Sequence, residues 1–253
     1  MEIIRKPLQG IRNIVYFNWH FYVLFGMFFL LGIVLLLYID SVFLQVGIVV
    51  ALIFGTYSLL ASLIVSMYVY DFTDVYQQLP WILEDKSSLR ILNIHAGFDE
   101  TSTVIQMKRP NSELTICDFY QPTKHTEISI ERARKKYPQP NTLVIQTTLL
   151  PFENQSIDEV FLIFAAHEIR DNTEREVFFK EVYRVLVPGG TAYITEHVRG
   201  LANSLAYTVG VFHFFTEKTW LSNIKHSGFN LEEKLPYTPF ITTYKLHKDG
   251  TTP

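Results

Sequence analysis

The chain of 253 residues has a single cysteine, Cys117, and no surplus of basic charge, with 22 Lys and Arg against 25 Asp and Glu. One thiol cannot close an intramolecular disulfide, and it fits a reducing compartment. Without a basic patch the chain cannot neutralise a run of phosphates, so no nucleic-acid partner is expected. Internal repeats and low-complexity tracts are missing as well. The length allows one α/β domain plus something smaller.

The most informative absence is local. Between Asn13 and Tyr70 the only charged residue is Asp40. Phe21–Ile39 (FYVLFGMFFLLGIVLLLYI) is uncharged, and at 1.5 Å per residue it spans roughly the 30 Å of a bilayer core. A second apolar stretch follows from about Val42 to Tyr70. Soluble helices rarely run this far without a polar face. Two transmembrane helices, 21–39 and 44–68, are therefore expected within a hairpin of residues 21–70, after an N-terminal segment of residues 1–20. The first stretch is too long for a cleaved signal, and no small-residue cleavage site separates it from the second. Arg5, Lys6 and Arg12 precede the hairpin, and the tight loop at Asp40–Ser41 has no Lys or Arg. The positive-inside rule then places the N-terminus and everything after the hairpin in the cytoplasm, in a multi-pass protein of the cell (inner) membrane. The lipid bilayer is the first expected partner, and such a hairpin could pair with others into a homo-oligomer.

Residues 71–88 (DFTDVYQQLPWILEDKSS) read as a juxtamembrane connector in which Pro80 breaks any helix and Trp81 sits near the headgroups. From 89 to 253, strand-like and helix-like runs alternate. Arg90–His95, Glu113–Asp118, Asn141–Gln146, Ser156–Ala165 and Thr191–Glu196 read as strands, and Leu231–Tyr237 and Phe240–His247 as an antiparallel pair. Ser129–Lys136, Thr173–Leu186 and Thr216–Ser227 read as helices. This alternation implies an α/β fold with a mostly parallel sheet covered on both faces. Ligands of such sheets sit at the carboxyl ends of the strands. The segments His95–Glu100, Asp118–Tyr120, Thr147–Phe152, Ala165–Arg170 and Glu196–Arg199 are the ones to interrogate, and four of the five carry ionisable groups.

Three pieces in fixed order carry a resemblance. They are LPF at Leu150–Phe152 with the following SIDEVFLIFAAHEI, then EVYRVLVPGGTAYITEH, then WLSNIKHSGF. Together they resemble the class I S-adenosylmethionine-dependent methyltransferases over nearly all of residues 88–247. AGFDE, DFY, TEISIERAR, AAHEIR and EHVR resemble, more narrowly, a group of bacterial membrane-anchored methyltransferase-like proteins. The resemblance implies a Rossmann-like class I methyltransferase fold, with a mostly parallel seven-stranded sheet preceded by a two-helix transmembrane hairpin. It also implies S-adenosylmethionine as cofactor. Gly97 matches the middle glycine of the family turn D-x-G-x-G-x-G, while Asn93, His95 and Asp99 stand where the acid, first glycine and last glycine are expected. Asn93, His95, Ala96, Gly97, Asp99 and Glu100 would form the turn, whose acids suit a cationic sulfonium and ammonium. Asp118 would accept from the ribose hydroxyls and Phe119 would flank the adenine. The backbone at Thr148–Leu149 would read the adenine edge, and Ala165 would complete the contact set. The glycine losses leave a rewired but working loop as the expectation.

Methyl transfer needs in-line positioning and, for a hydroxyl, acidic carbon or protonated amine, a base. His167 and Glu168 follow the fourth strand, where the transferred methyl should lie, and Glu196 and His197 follow the fifth. One histidine is expected to be the base and one glutamate its orienter, with Arg170 or Arg199 holding an anionic substrate group. Buried ion pairs closing the top of the sheet would use the same residues. His95, His167, Glu168, Glu196, His197 and His213 could converge on a metal, but no compact ligand spacing supports one and none is expected. The uncharged stretch GLANSLAYTVGVFHFF (200–215), taken with the hairpin, suggests a small lipid-soluble or aromatic acceptor at the cytoplasmic membrane face. The alternative is a catalytically inactive scaffold on the same fold.

Overall fold

The computed structural model describes residues 6–73, 75–124 and 127–249. Arg5, one of the three basic residues preceding the hairpin, lies outside them. Helix α1 (Gln9–Phe17) leads into α2 (Trp19–Tyr38) and α3 (Val42–Met67). These two helices are long and apolar enough to cross a membrane, and almost none of their apolar windows is buried. A π-turn at Tyr68–Phe72 ends α3. There the Asp71 carboxylate accepts hydrogen bonds from the N–H groups of Gly10 and Ile11, at 2.7 and 2.8 Å. These are first-turn amides of α1 with no partner inside their own helix. One carboxylate thus ties the two ends of the hairpin together.

After the short α4 (Val75–Gln78), strands β1 (Arg90–His95), β2 (Glu113–Asp118), β3 (Leu143–Val144), β4 (Ile157–Ile163) and β5 (Leu186–His197) alternate with helices. These are α5 (Ser102–Lys108), α6 (Ile128–Lys136) and α7 (Asn172–Val185). Helix α8 (Leu201–Tyr207), a 3-10 segment (Thr208–His213) and α9 (Glu217–His226) follow, and then β6 (Asn230–Thr238) and β7 (Ile241–His247). The sheet order is β3-β2-β1-β4-β5-β7-β6. Strands β1 to β5 pair in parallel, and β7 lies antiparallel between β5 and β6. This is the mostly parallel seven-stranded Rossmann-like sheet of the class I methyltransferases.

Alternate residues of each strand face opposite sides of the sheet. Leu92, Ile94, Val160 and Leu162 pack with Phe178, Val182 and Trp220 of α7 and α9. Ile91, Phe161 and Ile163 face the other way, onto Val75, Leu79, Trp81 and Ile82. The 71–88 stretch is therefore more than a tether. Trp81 is not at a headgroup position but is buried in this second core against Tyr237. Val75, Leu79 and Ile82 stand at helical spacing, but Pro80 interrupts the run, which hid their common core face. Cys117 is a fully buried β2 residue. The apolar 200–215 stretch divides into α8 and, from Thr208, the 3-10 segment.

Candidate functional site

β1 delivers the first turn. Gly97 sits at φ +98°, where a side chain is strained, and a Cβ there would come within 3.0 Å of Ile130 and 3.1 Å of Arg134. The neighbours that replace the missing glycines hold the turn with their side chains. Asp99 Oδ1 accepts from the N–H groups of Thr101 and Ser102 at the start of α5. Asn93 Nδ2, buried beneath, donates to Asp99, Thr101 and Ser102. An acid and an amide thus supply by hydrogen bonding what glycines supply by flexibility. Asp99 faces its own loop, whereas Glu100 lines the cavity beside it.

That cavity has a volume of about 130 Å³ and is bounded by His95, Ala96, Phe98, Glu100, Phe164 and Glu168, among others. His95 Nδ1 accepts from the Gly97 N–H, so the ring proton resides on Nε2, and burial keeps the imidazole neutral by lowering its pKa. Nε2 is buried without a hydrogen-bond partner among the described residues. It is a donor at the cavity wall. Phe164, at φ +51°, turns the chain off β4 beneath the same cavity.

Asp118 ends β2, buried, and accepts from the Tyr120 N–H at 2.8 Å. Its other oxygen is paired with Arg134 of α6, whose guanidinium also lies 4.6 Å from the centre of the Tyr120 ring. Phe119 turns inward against Phe178, so Tyr120 is the exposed-side aromatic of this strand end. Thr148 and Leu149 are exposed in the turn after β3, while Thr147 is buried and hydrogen-bonded to Glu174. Ala165 is buried in the core at the end of β4.

The ends of β4 and β5 converge. His167 Nδ1 lies 2.7 Å from Glu196 Oε2, and the His167 N–H donates to Glu196 Oε1 at 3.1 Å. His167 Nε2 is 3.1 Å from Glu168 Oε1, which is 3.7 Å from His213 Nε2; His213 Nδ1 is 3.0 Å from Glu127. Burial alone would lower the His167 pKa, but Glu196 and Glu168 outweigh it and hold it well above the ordinary value. Burial likewise opposes charge on His213, and Glu127 and Glu168 raise it. Glu168, despite burial, is held far below the usual carboxylate range by His167 and His213.

His197 belongs to a different environment. Its Nδ1 faces the Phe240 carbonyl at 3.1 Å, and Nε2 accepts from the Tyr70 hydroxyl at 2.7 Å, so the ring pins the π-turn to the sheet. Burial, helped by the nearby charge of His167, lowers its pKa to about 3. An unfolded histidine titrates near 6.5. A depressed folded pKa gives stability that is complete above about 6.5 and lost as pH falls toward about 3. Between pH 7.5 and pH 5 the wild type should therefore lose more melting temperature than His197→Gln. Parallel losses would contradict the buried neutral ring.

Arg170 donates to the carbonyls of His167 and His213, and Arg199 to those of Phe212 and Phe214. Both arginines donate to backbone oxygens of the 208–214 segment and stack on Phe215 and Phe212, so they fasten that segment over the strand ends. Arg134 and Glu127 were not singled out from sequence. Each lies on or beside α6, and only the tertiary fold brings them to Asp118 and His213.

A family profile described as a methyltransferase domain matches residues 106–194, which include Asp118, His167 and Glu168 but begin after the Gly97 turn. No curated protein matches the chain. Among solved structures, a protein from Haloferax volcanii in complex with the Trm112 methyltransferase activator is similar at 12% identity with a TM-score of 0.51. That similarity covers 72% of this chain and 92% of the other. The [4+2]-cyclase SpnF is similar at 14% identity with a TM-score of 0.50, over 70% of this chain and 80% of its own. At such identities these likenesses show the fold alone. With the matched profile and the strand order together, the β1–β7 region has the class I methyltransferase fold, and its central part, residues 106–194, matches a methyltransferase domain.

Proposed function

We propose that the protein is a membrane-anchored methyltransferase acting at the cytoplasmic membrane face on a small lipid-soluble or aromatic acceptor. The carrying observation is one continuous path from hairpin to cavity. The Tyr57 hydroxyl of α3 donates to the Leu205 carbonyl of α8 at 2.9 Å. Eight residues later His213 meets Glu168, which lines the cavity. Tyr57 lies ten residues before Met67, or roughly 15 Å along α3, about half a bilayer core. Leu201, Leu205, Val209 and Phe212 are exposed beside that contact. A cluster of this kind on a domain held against two long apolar helices suits an oily acceptor. The proximity of α1 to the domain, through Lys136 to Asn13 and Arg132 to the Phe17 carbonyl, keeps the basic N-terminal segment on the domain side. This agrees with a cytoplasmic N-terminus under the positive-inside rule.

The residues present fit S-adenosylmethionine, with one displacement. The unpartnered His95 Nε2–H suits a carboxylate and Glu100 suits a cation, while Gly97 keeps the turn bare. Asp118 would hold the ribose hydroxyls once Arg134 leaves it. At about 130 Å³ the cavity is smaller than the roughly 300–1,000 Å³ of ordinary ligand sites. Arg134 is half-exposed and free to swing outward, which would enlarge it. When bound, the cofactor supplies an electrophilic methyl group on a cationic sulfur. Glu168, kept ionised by His167 and His213, faces the cavity and would accept a hydrogen bond from the acceptor, holding it in line with the methyl group. Calorimetric titration of the detergent-purified chain should show S-adenosylmethionine and S-adenosylhomocysteine binding in the micromolar range. Binding of neither would leave the scaffold reading in its place.

A further inference from the structure

The strand-end cluster holds a feature that acid–base chemistry does not use. His167 Nε2 and His213 Nε2 both point at one oxygen, Glu168 Oε1, at 3.1 and 3.7 Å. One ligand atom from each of the three residues lies within 4.8 Å of the others. Zinc bonds to imidazole nitrogen and carboxylate oxygen are about 2.0–2.2 Å long, so tetrahedral ligand atoms stand roughly 3.3 Å apart. Small side-chain movements would close the three onto one ion. The far nitrogen of each ring is held by a carboxylate, His167 Nδ1 by Glu196 and His213 Nδ1 by Glu127. Carboxylates behind ligating histidines are the usual support of a bound metal, fixing the tautomer and raising ligand basicity. The charge agrees as well. Glu127, Glu168 and Glu196 surround two imidazoles, and a divalent cation would offset their charge with both rings neutral.

We propose that His167, Glu168 and His213 form a divalent-cation site of the zinc class whose open coordination position faces the cavity. Two nitrogens and one carboxylate favour zinc or a similar first-row ion over magnesium or calcium, which prefer oxygen ligands. Three protein ligands leave a fourth position, as in catalytic rather than structural sites. Because Glu168 lines the cavity, that position would take an oxygen of the acceptor, such as a phenol or enol. This last step rests on reading the cavity as the acceptor site.

The test uses the full-length protein in detergent, stripped by chelator and titrated with Co²⁺ alone, followed by its visible d–d absorption. One equivalent should bind and be displaced by one equivalent of Zn²⁺. His213→Ala should weaken binding at least about 100-fold, and Glu127→Gln, which removes only the support, about 10- to 100-fold. His226→Ala, on the exposed face of α9, should match the wild type. The Glu127 variant keeps the test decisive if His213→Ala fails to fold. No saturable Co²⁺ binding, or binding indifferent to His213 and Glu127, overturns the site. Calorimetry with S-adenosylmethionine on the same preparations separates the two claims. Cofactor binding without cobalt binding removes the cation site and leaves the methyltransferase reading. Cobalt binding without cofactor binding keeps the site and removes its acceptor role.

Discussion

Arg109→Ala should lower the melting temperature by on the order of 10 °C. Arg109 is 4% exposed and makes a two-pronged pair with Glu159, Nε to Oε2 at 2.8 Å and Nη2 to Oε1 at 2.9 Å. Its third nitrogen donates to the Leu83 carbonyl. One side chain thus fastens the end of α5 to β4 and to the segment that covers the second core. Removing one partner of a buried pair leaves the other charge uncompensated, which costs about 3–5 kcal/mol. For a protein of this size each kcal/mol shifts the midpoint by about 2–4 °C. The double variant Arg109→Met with Glu159→Leu should recover much of the loss, because the charge left behind is the main penalty. A shift of only a degree or two for Arg109→Ala would show the pair to be solvated.

Asp118→Ala should remove S-adenosylmethionine binding, by about 100-fold or more in equilibrium dialysis. A buried carboxylate accepting two ribose hydroxyls contributes about 1.5–3 kcal/mol per hydrogen bond. The fold should survive, because Arg134 is 38% exposed and can turn to water when its partner is lost. Arg134→Ala should move affinity the other way by a few-fold, since the ion pair between the partly exposed arginine and the buried Asp118 no longer has to break. Unchanged affinity in Asp118→Ala would remove the ribose from this strand end. Weaker binding in Arg134→Ala would make the arginine a ligand contact rather than an occupant of the site.

Much of this was legible in the sequence where the physics is local. The run from Asn13 to Tyr70, charged only at Asp40, marks the two long helices by itself, and the helices observed, Trp19–Tyr38 and Val42–Met67, depart from the expected ends by only a few residues. The near-continuous burial of β1 and β4, covered on both faces, is written in the apolar runs of RILNIH and IDEVFLI. The polar residues after these strands stood out because a buried sheet has little use for them elsewhere. β3 shrinks to Leu143–Val144, since NTLVIQ lies at the sheet edge with one neighbour to pair with. Asp99 reads as a cofactor acid in sequence, but the nearest unsatisfied donors are the amides of its own loop. Arg134 and Glu127 escaped because their partners are distant in sequence: His213 stands 86 residues after Glu127, and no periodicity reports such a meeting. Tyr120 rather than Phe119 faces outward at the end of β2 because strand alternation had already committed Phe119 to the core.

The most direct measurement is transfer of a labelled methyl group from S-adenosylmethionine into the organic phase of vesicles that carry the purified protein and extracted membrane lipids. Label should enter a small lipid-soluble product and fall at least about 100-fold with Glu168→Gln, which keeps the side chain's shape but removes its charge. Label that stays in water, or enters the lipid phase equally with the variant, would contradict a membrane-facing methyltransferase built on this cluster.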